Sequence, residues 1–263
     1  MKQPLAYVHP AAKIAQNVVI DPFVTIDKNV VIGAGTHIGS NVTIMENTVI
    51  GSNCNIFPGA VLGAIPQDLK FQGEETYVHI GNNTTIREFV TVHRGTASRG
   101  KTIIGDNCLI MAYCHIAHDC VLGNHIIMSN STQLAGEVMI GDYAVFGGGT
   151  LIHQFSRIGK HVMIQGGSRI NKDIPPYITA ARDPISYAGI NSIGLRRRDF
   201  SNAQICNIQD MYRLIFQSGV NISDALERVE AECPASPERD EVVLFIRNSH
   251  RGILRGYGRQ ANP

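Results

Sequence analysis

The sequence predicts an all-β solenoid of parallel coils followed by a C-terminal α-helical domain. Three observations carry this reading: an aliphatic residue at every sixth position, Gly or Asn at a fixed offset behind it, and a switch to helical periodicity from about Phe200. The aliphatic column runs through Val8, Ile14, Ile20, Ile26, Ile32, Ile38, Ile44, Ile50, Ile56 and Leu62. It resumes at Ile80, Ile86 and Val92, and again from Ile104 to Ile170. A helix of about 3.6 residues per turn cannot hold such a period.

Within each repeat the other positions agree. Three residues behind the column stand Asn17, Asn29, Gly35, Asn41, Asn47, Asn53 and Gly59, residue types that tolerate positive φ. Small or β-branched residues follow, among them Val18, Val24, Val30, Thr36 and Val42. Short strand, tight turn, short strand is the unit of a solenoid. Cys54, Cys108, Cys114 and Cys120 share that last position, so they read as small buried residues rather than as a disulfide framework.

Two stretches break the period, and both carry charges that the coils mostly lack. They predict loops at about 64–79 and 93–103, and insertions of this kind in solenoids often serve a binding face. Past Ile170 the run Asp173-Ile174-Pro175-Pro176-Tyr177 stops the ladder, because proline cannot continue a central strand. The expected domains are therefore 1–190, the β-solenoid, and 191–263, the helical part. In the latter, Ser201 is a plausible N-cap for a helix burying Ile205, Ile208, Met211, Tyr212 and Ile215. Ser223 reads as the cap of a second helix, and a third is expected from about Glu238 to Arg251.

Bulk properties exclude several classes. A net charge of +1 over 263 residues gives no field to attract nucleic acid. No run of 18 apolar residues predicts a membrane span, and the opening MKQPLAYVHP lacks a signal-peptide core. A soluble cytoplasmic protein is expected.

The hexapeptide pattern over about Val8 to Ile174 resembles the hexapeptide-repeat family. That resemblance implies a left-handed parallel β-helix with three hexapeptides per coil, so that residues 18 apart stack one above the other. On that step His118 lies below Gly136, Asp119 below Glu137, and His115 below Gln133, while Gln154 lies above Gly136 with His153 beside it. Histidine is the side chain suited to proton transfer near neutral pH, a neighbouring carboxylate can orient it, and a bared glycine N–H can meet an oxyanion.

A closer resemblance rests on His115-Ile116-Ala117-His118-Asp119-Cys120, Leu134-Ala135-Gly136, His153-Gln154-Phe155, Gln67-Asp68-Leu69-Lys70 and Gly194-Leu195-Arg196-Arg197-Arg198. These segments resemble the branch of the hexapeptide-repeat acyltransferases that acylates UDP-N-acetylglucosamine. The resemblance implies transfer of a 3-hydroxyacyl chain from acyl carrier protein to the sugar 3-hydroxyl at the start of lipid A synthesis. It implies a homotrimer with sites between subunits, and neither cofactor nor metal. By position, His118 matches the general base, Asp119 its orienting carboxylate and Gly136 the oxyanion donor. Asp68, Lys70 and His115 match sugar-contacting positions, and His153 and Gln154 positions near donor and nucleotide; Glu137, beside Gly136, is a further substrate-binding candidate. Asn191, Arg197 and Arg198 match positions around uridine and phosphates. Gly166 matches the residue that closes the acyl groove, and a glycine there implies a long chain.

Two residues depart from that pattern: Glu137 stands where histidine is usual, and Ile193 where an acidic residue is expected. Competing readings are a later N-acyltransferase of the same pathway, which normally carries an extra N-terminal domain, and a zinc protein of the γ-carbonic-anhydrase kind. The His115-to-His118 spacing is not that of the latter. A non-catalytic scaffold is the third.

Overall fold

The computed structural model describes residues 5–256; the outer ends of the two expected domains, 1–4 and 257–263, lie outside the described residues. The chain winds as a left-handed parallel β-helix of three faces. Among the described residues these are sheets of nine, eight and ten strands. Most strands are two residues long, the first side chain facing outward and the second buried, as in Thr25–Ile26, Val31–Ile32 and His115–Ile116.

The inward residues are the aliphatic column, and Ile26, Ile38, Ile44, Ile86, Ile110 and Ile116 have no exposed surface. Each such side chain contributes roughly 1.5–3 kcal/mol on burial, so the column supplies the stability of the stack. The corners turn through the left-handed region. Asn17, Asn29, Asn41, Asn47 and Asn53 have φ of 56–62°, and Asp119 and Glu137 occupy the same corner position at 60° and 58°.

Stacking follows the 18-residue step: His115 pairs with Gln133, Gln133 with Leu151, and Leu151 with Arg169. The step becomes 30 residues where Val61 pairs with Thr91, and 24 where Thr91 pairs with His115. The two insertions leave the stack between Ala64 and Tyr77 and between His93 and Lys101, and the ladder closes beneath them. Cys54, Cys108, Cys114 and Cys120 lie free and buried inside. Burial raises the Cys108 and Cys114 thiols to about 11 and Cys120 to about 12.

After the last coil an antiparallel hairpin, Ile178–Ala181 with Ser186–Ile190, extends the ten-stranded face. Four helices follow: α1 (Ser192–Arg196), α2 (Asn202–Gln217), α3 (Ile222–Glu232) and α4 (Pro237–Arg247). Ser201 caps α2 in a full capping box with Gln204, and Tyr212 of α2 donates to the Pro176 carbonyl at 2.6 Å. Two expectations are corrected here. The cap of α3 is Asn221, whose side chain accepts from Asp224 N, and not Ser223, which lies inside the first turn. Helix α4 ends at Arg247, short of Arg251, because the chain beyond is drawn into bridges of Ile253 with Asp173 and of Arg255 with Ser186. Among the described residues no helix is long and apolar enough to cross a membrane.

Candidate active site

The nine-stranded face carries a groove of about 600 Å³. His93, His115, His118, Gln133, Gly136, His153, Gln154 and Arg169 line it, with Gln67 reaching in from the first inserted loop. At its side, on a corner, stand His118 and Asp119. Asp119 has no exposed surface, so its carboxylate must be satisfied from within. Thr96 N donates to both its oxygens at 3.0 and 3.1 Å, Thr96 Oγ1 to Oδ2 at 2.6 Å, and Arg99 N to Oδ1 at 3.2 Å. These donors all come from the second inserted loop. The remaining partner is His118 Nδ1, at 2.9 Å from Oδ2.

A carboxylate only accepts, so this bond assigns the proton of a neutral His118 ring to Nδ1 and leaves Nε2 with a lone pair. Nε2 lies 3.8 Å from Asp68 Oδ2, a carboxylate that the first loop brings over the ring. Gly136 stacks above. A Cβ there would sit 2.5 Å from both Cε1 and Nε2 of His118, so glycine is required by the ring and not by its own backbone angle. The Gly136 carbonyl accepts from Phe155 N, while its N–H has no acceptor among the described residues.

Deeper in the groove, His115 Nδ1 and Thr91 Oγ1 are 2.7 Å apart, and the His93 ring meets His115 edge-on with centroids 4.7 Å apart. Burial, then the positive charge of neighbouring histidines, lowers both, His93 to about 4. His93 went unremarked in the sequence as a site residue. The available signal was its position, the first residue of the second break in the hexapeptide period. At the upper end, Arg251 donates to His153 Nδ1 and to the Gln154 carbonyl, both at 3.1 Å.

Other expected residues lie elsewhere. Glu137 does not line the groove: its carboxylate turns to Arg99, Oε2 to Nε 3.7 Å, and its N–H donates to the His118 carbonyl. Lys70 is exposed on the first loop, its N–H bonded to Asp68 Oδ1. Gly166 sits on another corner, where an added Cβ would meet Gly148 O at 3.0 Å. Asn191, Arg197 and Arg198 line a second cavity of about 610 Å³ on the ten-stranded face, with Ile127, Val145, Met163 and Ile193. There Asn191 caps α1 through Gly194 N and donates to the His161 carbonyl. Arg198 lies over Tyr143, which stacks between His125 and His161. His115, expected at the sugar, and Asn191, Arg197 and Arg198, expected around the uridine and phosphates, thus line two separate cavities on different faces of the chain. Among the described residues no group of three or more His, Cys, Asp or Glu side chains is placed to hold a metal ion.

The profile of the family described as UDP-N-acetylglucosamine O-acyltransferase, domain 2, matches residues 173–254, and that of the bacterial transferase hexapeptide, six repeats, matches 101–136. The chain is 53% identical over 255 residues to an acyl-(acyl-carrier-protein)-UDP-N-acetylglucosamine O-acyltransferase of Trichlorobacter lovleyi, covering 95% of this chain and 98% of the relative. It is 47% identical to the enzyme of the same name from Halorhodospira halophila, over 96% and 98% of the two chains. Among solved structures it resembles a UDP-N-acetylglucosamine acyltransferase from Bacteroides fragilis, with TM-score 0.96, 59% identity and coverage of 97% and 100%.

Proposed function

The chain is an enzyme of the UDP-N-acetylglucosamine O-acyltransferase family, and on that premise we propose that it moves a long-chain (R)-3-hydroxyacyl group from acyl carrier protein to the glucosamine 3-hydroxyl of UDP-N-acetylglucosamine, the first step of lipid A synthesis, in the cytoplasm. His118 Nε2 takes the hydroxyl proton as the sugar oxygen attacks the thioester carbonyl. The Gly136 N–H receives the oxyanion. Collapse of the tetrahedral intermediate breaks the C–S bond, and the imidazolium returns its proton to the departing carrier thiolate. Asp119 holds the ring and offsets its positive charge while the proton is on it. Such a base contributes roughly 10²–10⁴-fold and an oxyanion donor roughly 10²–10³-fold.

The single observation carrying this reading is the layer His118–Asp119 beneath Gly136, with Nδ1 committed to a buried carboxylate and Nε2 facing the groove. In the proposed division of labour, residues 1–190 hold the base and the sugar, with Asp68, Lys70 and His115 on the sugar. Residues 191–263 supply Asn191, Arg197 and Arg198 to the uridine and phosphates. A homotrimer would join the half-site on one face to that on a neighbour's. Gly166, lacking a side chain, suits a long acyl chain.

The test is transfer from long-chain 3-hydroxyacyl carrier protein to UDP-N-acetylglucosamine by wild type and His118→Ala, with assembly measured by sedimentation. Turnover lost by orders of magnitude in a variant that still assembles is expected. Turnover surviving in His118→Ala removes the proposed base. A preference for ten-carbon donors removes the chain-length reading.

A further inference from the structure

At the upper end of the groove, the lining residues His153, Gln154 and Asn171 are held by a side chain from near the far end of the chain. Arg251 lies beyond α4, in a segment anchored by Ser249 Oγ on Asp173 Oδ2 at 2.7 Å and by the bridge of Ile253 to Asp173. All three of its guanidinium nitrogens are engaged: Nη1 on the Gln154 carbonyl at 3.1 Å, Nη2 on His153 Nδ1 at 3.1 Å, and Nε on the Asn171 carbonyl at 3.3 Å.

His153 Nδ1 is also 3.0 Å from the Gln154 carbonyl oxygen. A neutral ring has two tautomers. A proton on Nδ1 would satisfy that oxygen but would set one N–H against another from Arg251. A guanidinium stays protonated and can only donate. The pattern that satisfies every group is a fork donating to two acceptors held side by side, Gln154 O and a bare Nδ1. The proton of the neutral ring then sits on Nε2.

We propose that Arg251 is a positioning residue that locks His153 in the Nε2–H tautomer, so that the ring presents a hydrogen-bond donor to an oxygen of the molecule in the groove. Only the identity of that oxygen, on acyl donor or nucleotide, rests on the function proposed above; the tautomer does not. The helical domain thereby acts on a groove built by the coils, through a contact spanning 98 residues of sequence.

Long-range nitrogen–proton NMR on the full-length, histidine-labelled protein reads the tautomer directly, with His153 assigned by the signal missing in His153→Gln. Wild type is expected to show a protonated Nε2 and a bare Nδ1 in mildly alkaline solution. In Arg251→Met the proton is expected to move to Nδ1, where the Gln154 carbonyl awaits it, with the other histidine signals unmoved. The KM of a groove ligand should rise about three- to tenfold with kcat little changed. A protonated Nδ1 in wild type overturns the proposal whatever the variant does, and so does an unchanged tautomer in a folded Arg251→Met. Activity on a different acceptor would alter the proposed function and leave the tautomer result standing.

Discussion

Replacing Gly136 by alanine isolates the seat of the base from the donor beside it, because alanine keeps the N–H. The Gly136 backbone lies outside the left-handed region, so the substitution meets no conformational penalty of its own. The new methyl would stand 2.5 Å from Cε1 and Nε2 and 3.2 Å from Cδ2 of His118, where ordinary contact begins at 3.4 Å. The difference, 3.4 minus 2.5, requires the ring to move by 0.9 Å. Its anchor cannot follow, since Asp119 is fully buried and pinned by Thr96 and Arg99. The imidazole must tilt against its 2.9 Å bond to Asp119. A displacement of about 1 Å in a catalytic group costs roughly 10²-fold in rate, and overpacking costs about 1–3 kcal/mol in stability. Steady-state transfer kinetics, with kcat and KM separated and assembly checked by sedimentation, should show kcat falling about 100-fold in a folded protein. A kcat within about twofold of wild type would refute the reasoning, because it would mean that the site tolerates a displaced or differently placed base.

Three further outcomes follow from the same geometry. Asp119→Asn sets an amide among the Thr96 and Arg99 N–H donors, so the pair with His118 fails and kcat should drop by roughly 10²–10⁴-fold; near-normal turnover would show that the carboxylate is not needed. Thiol labelling of the native protein should reach Cys206 and, more slowly, Cys233, while Cys54, Cys108, Cys114 and Cys120 react only after denaturation, their thiols buried and raised. His161, lowered from 6.5 to about 4 chiefly by burial, stays neutral in the fold where the unfolded chain already takes a proton. Its effect is absent above pH 6.5, and stability falls as pH drops from 6.5 towards 4, by about 3 kcal/mol from a gap of about 2.5 pH units at about 1.36 kcal/mol each. Thermal melts over that window should show a shallower slope for His161→Gln, and an unchanged slope would count against the assignment.

The coils were legible because one rule, an aliphatic residue facing inward at every sixth position, repeats until chance is excluded. The same rule placed His115, His118, Asp119, Glu137, His153 and Gln154 near one edge; the pairing of His115 with Gln133 bears out the step, but Glu137 turns to Arg99 and does not line the groove. The loops follow no period, so the sequence could not say that Thr96 and Arg99 wrap the Asp119 carboxylate, or that Arg99 takes Glu137 away from the groove. Helix interiors were readable from their apolar faces. Their ends were less so, because Asn221 and Ser223 are both competent caps, and the structure uses the first, with Asn221 accepting from Asp224 N. The expected third helix ran on to Arg251, although Asn248, Ser249 and His250 are weak helix formers and Gly252 follows; the bridge of Asp173 with Ile253, which takes the chain elsewhere, is a long-range contact invisible to local pattern.

The stack has a further property that follows from its register. Within the coils each strand pairs only with strands of the coils above and below, and the extra 12 residues (30 minus 18) and 6 residues (24 minus 18) are accommodated with Val61 still paired to Thr91 and Thr91 to His115, with one register shift between Leu62 and Ala64. Height and chemistry are therefore separately adjustable. The turns before Leu62 line neither of the two cavities and serve as a pedestal. Excising whole 18-residue turns from that pedestal would shorten the molecule in increments of about 4.8 Å while leaving the groove in register.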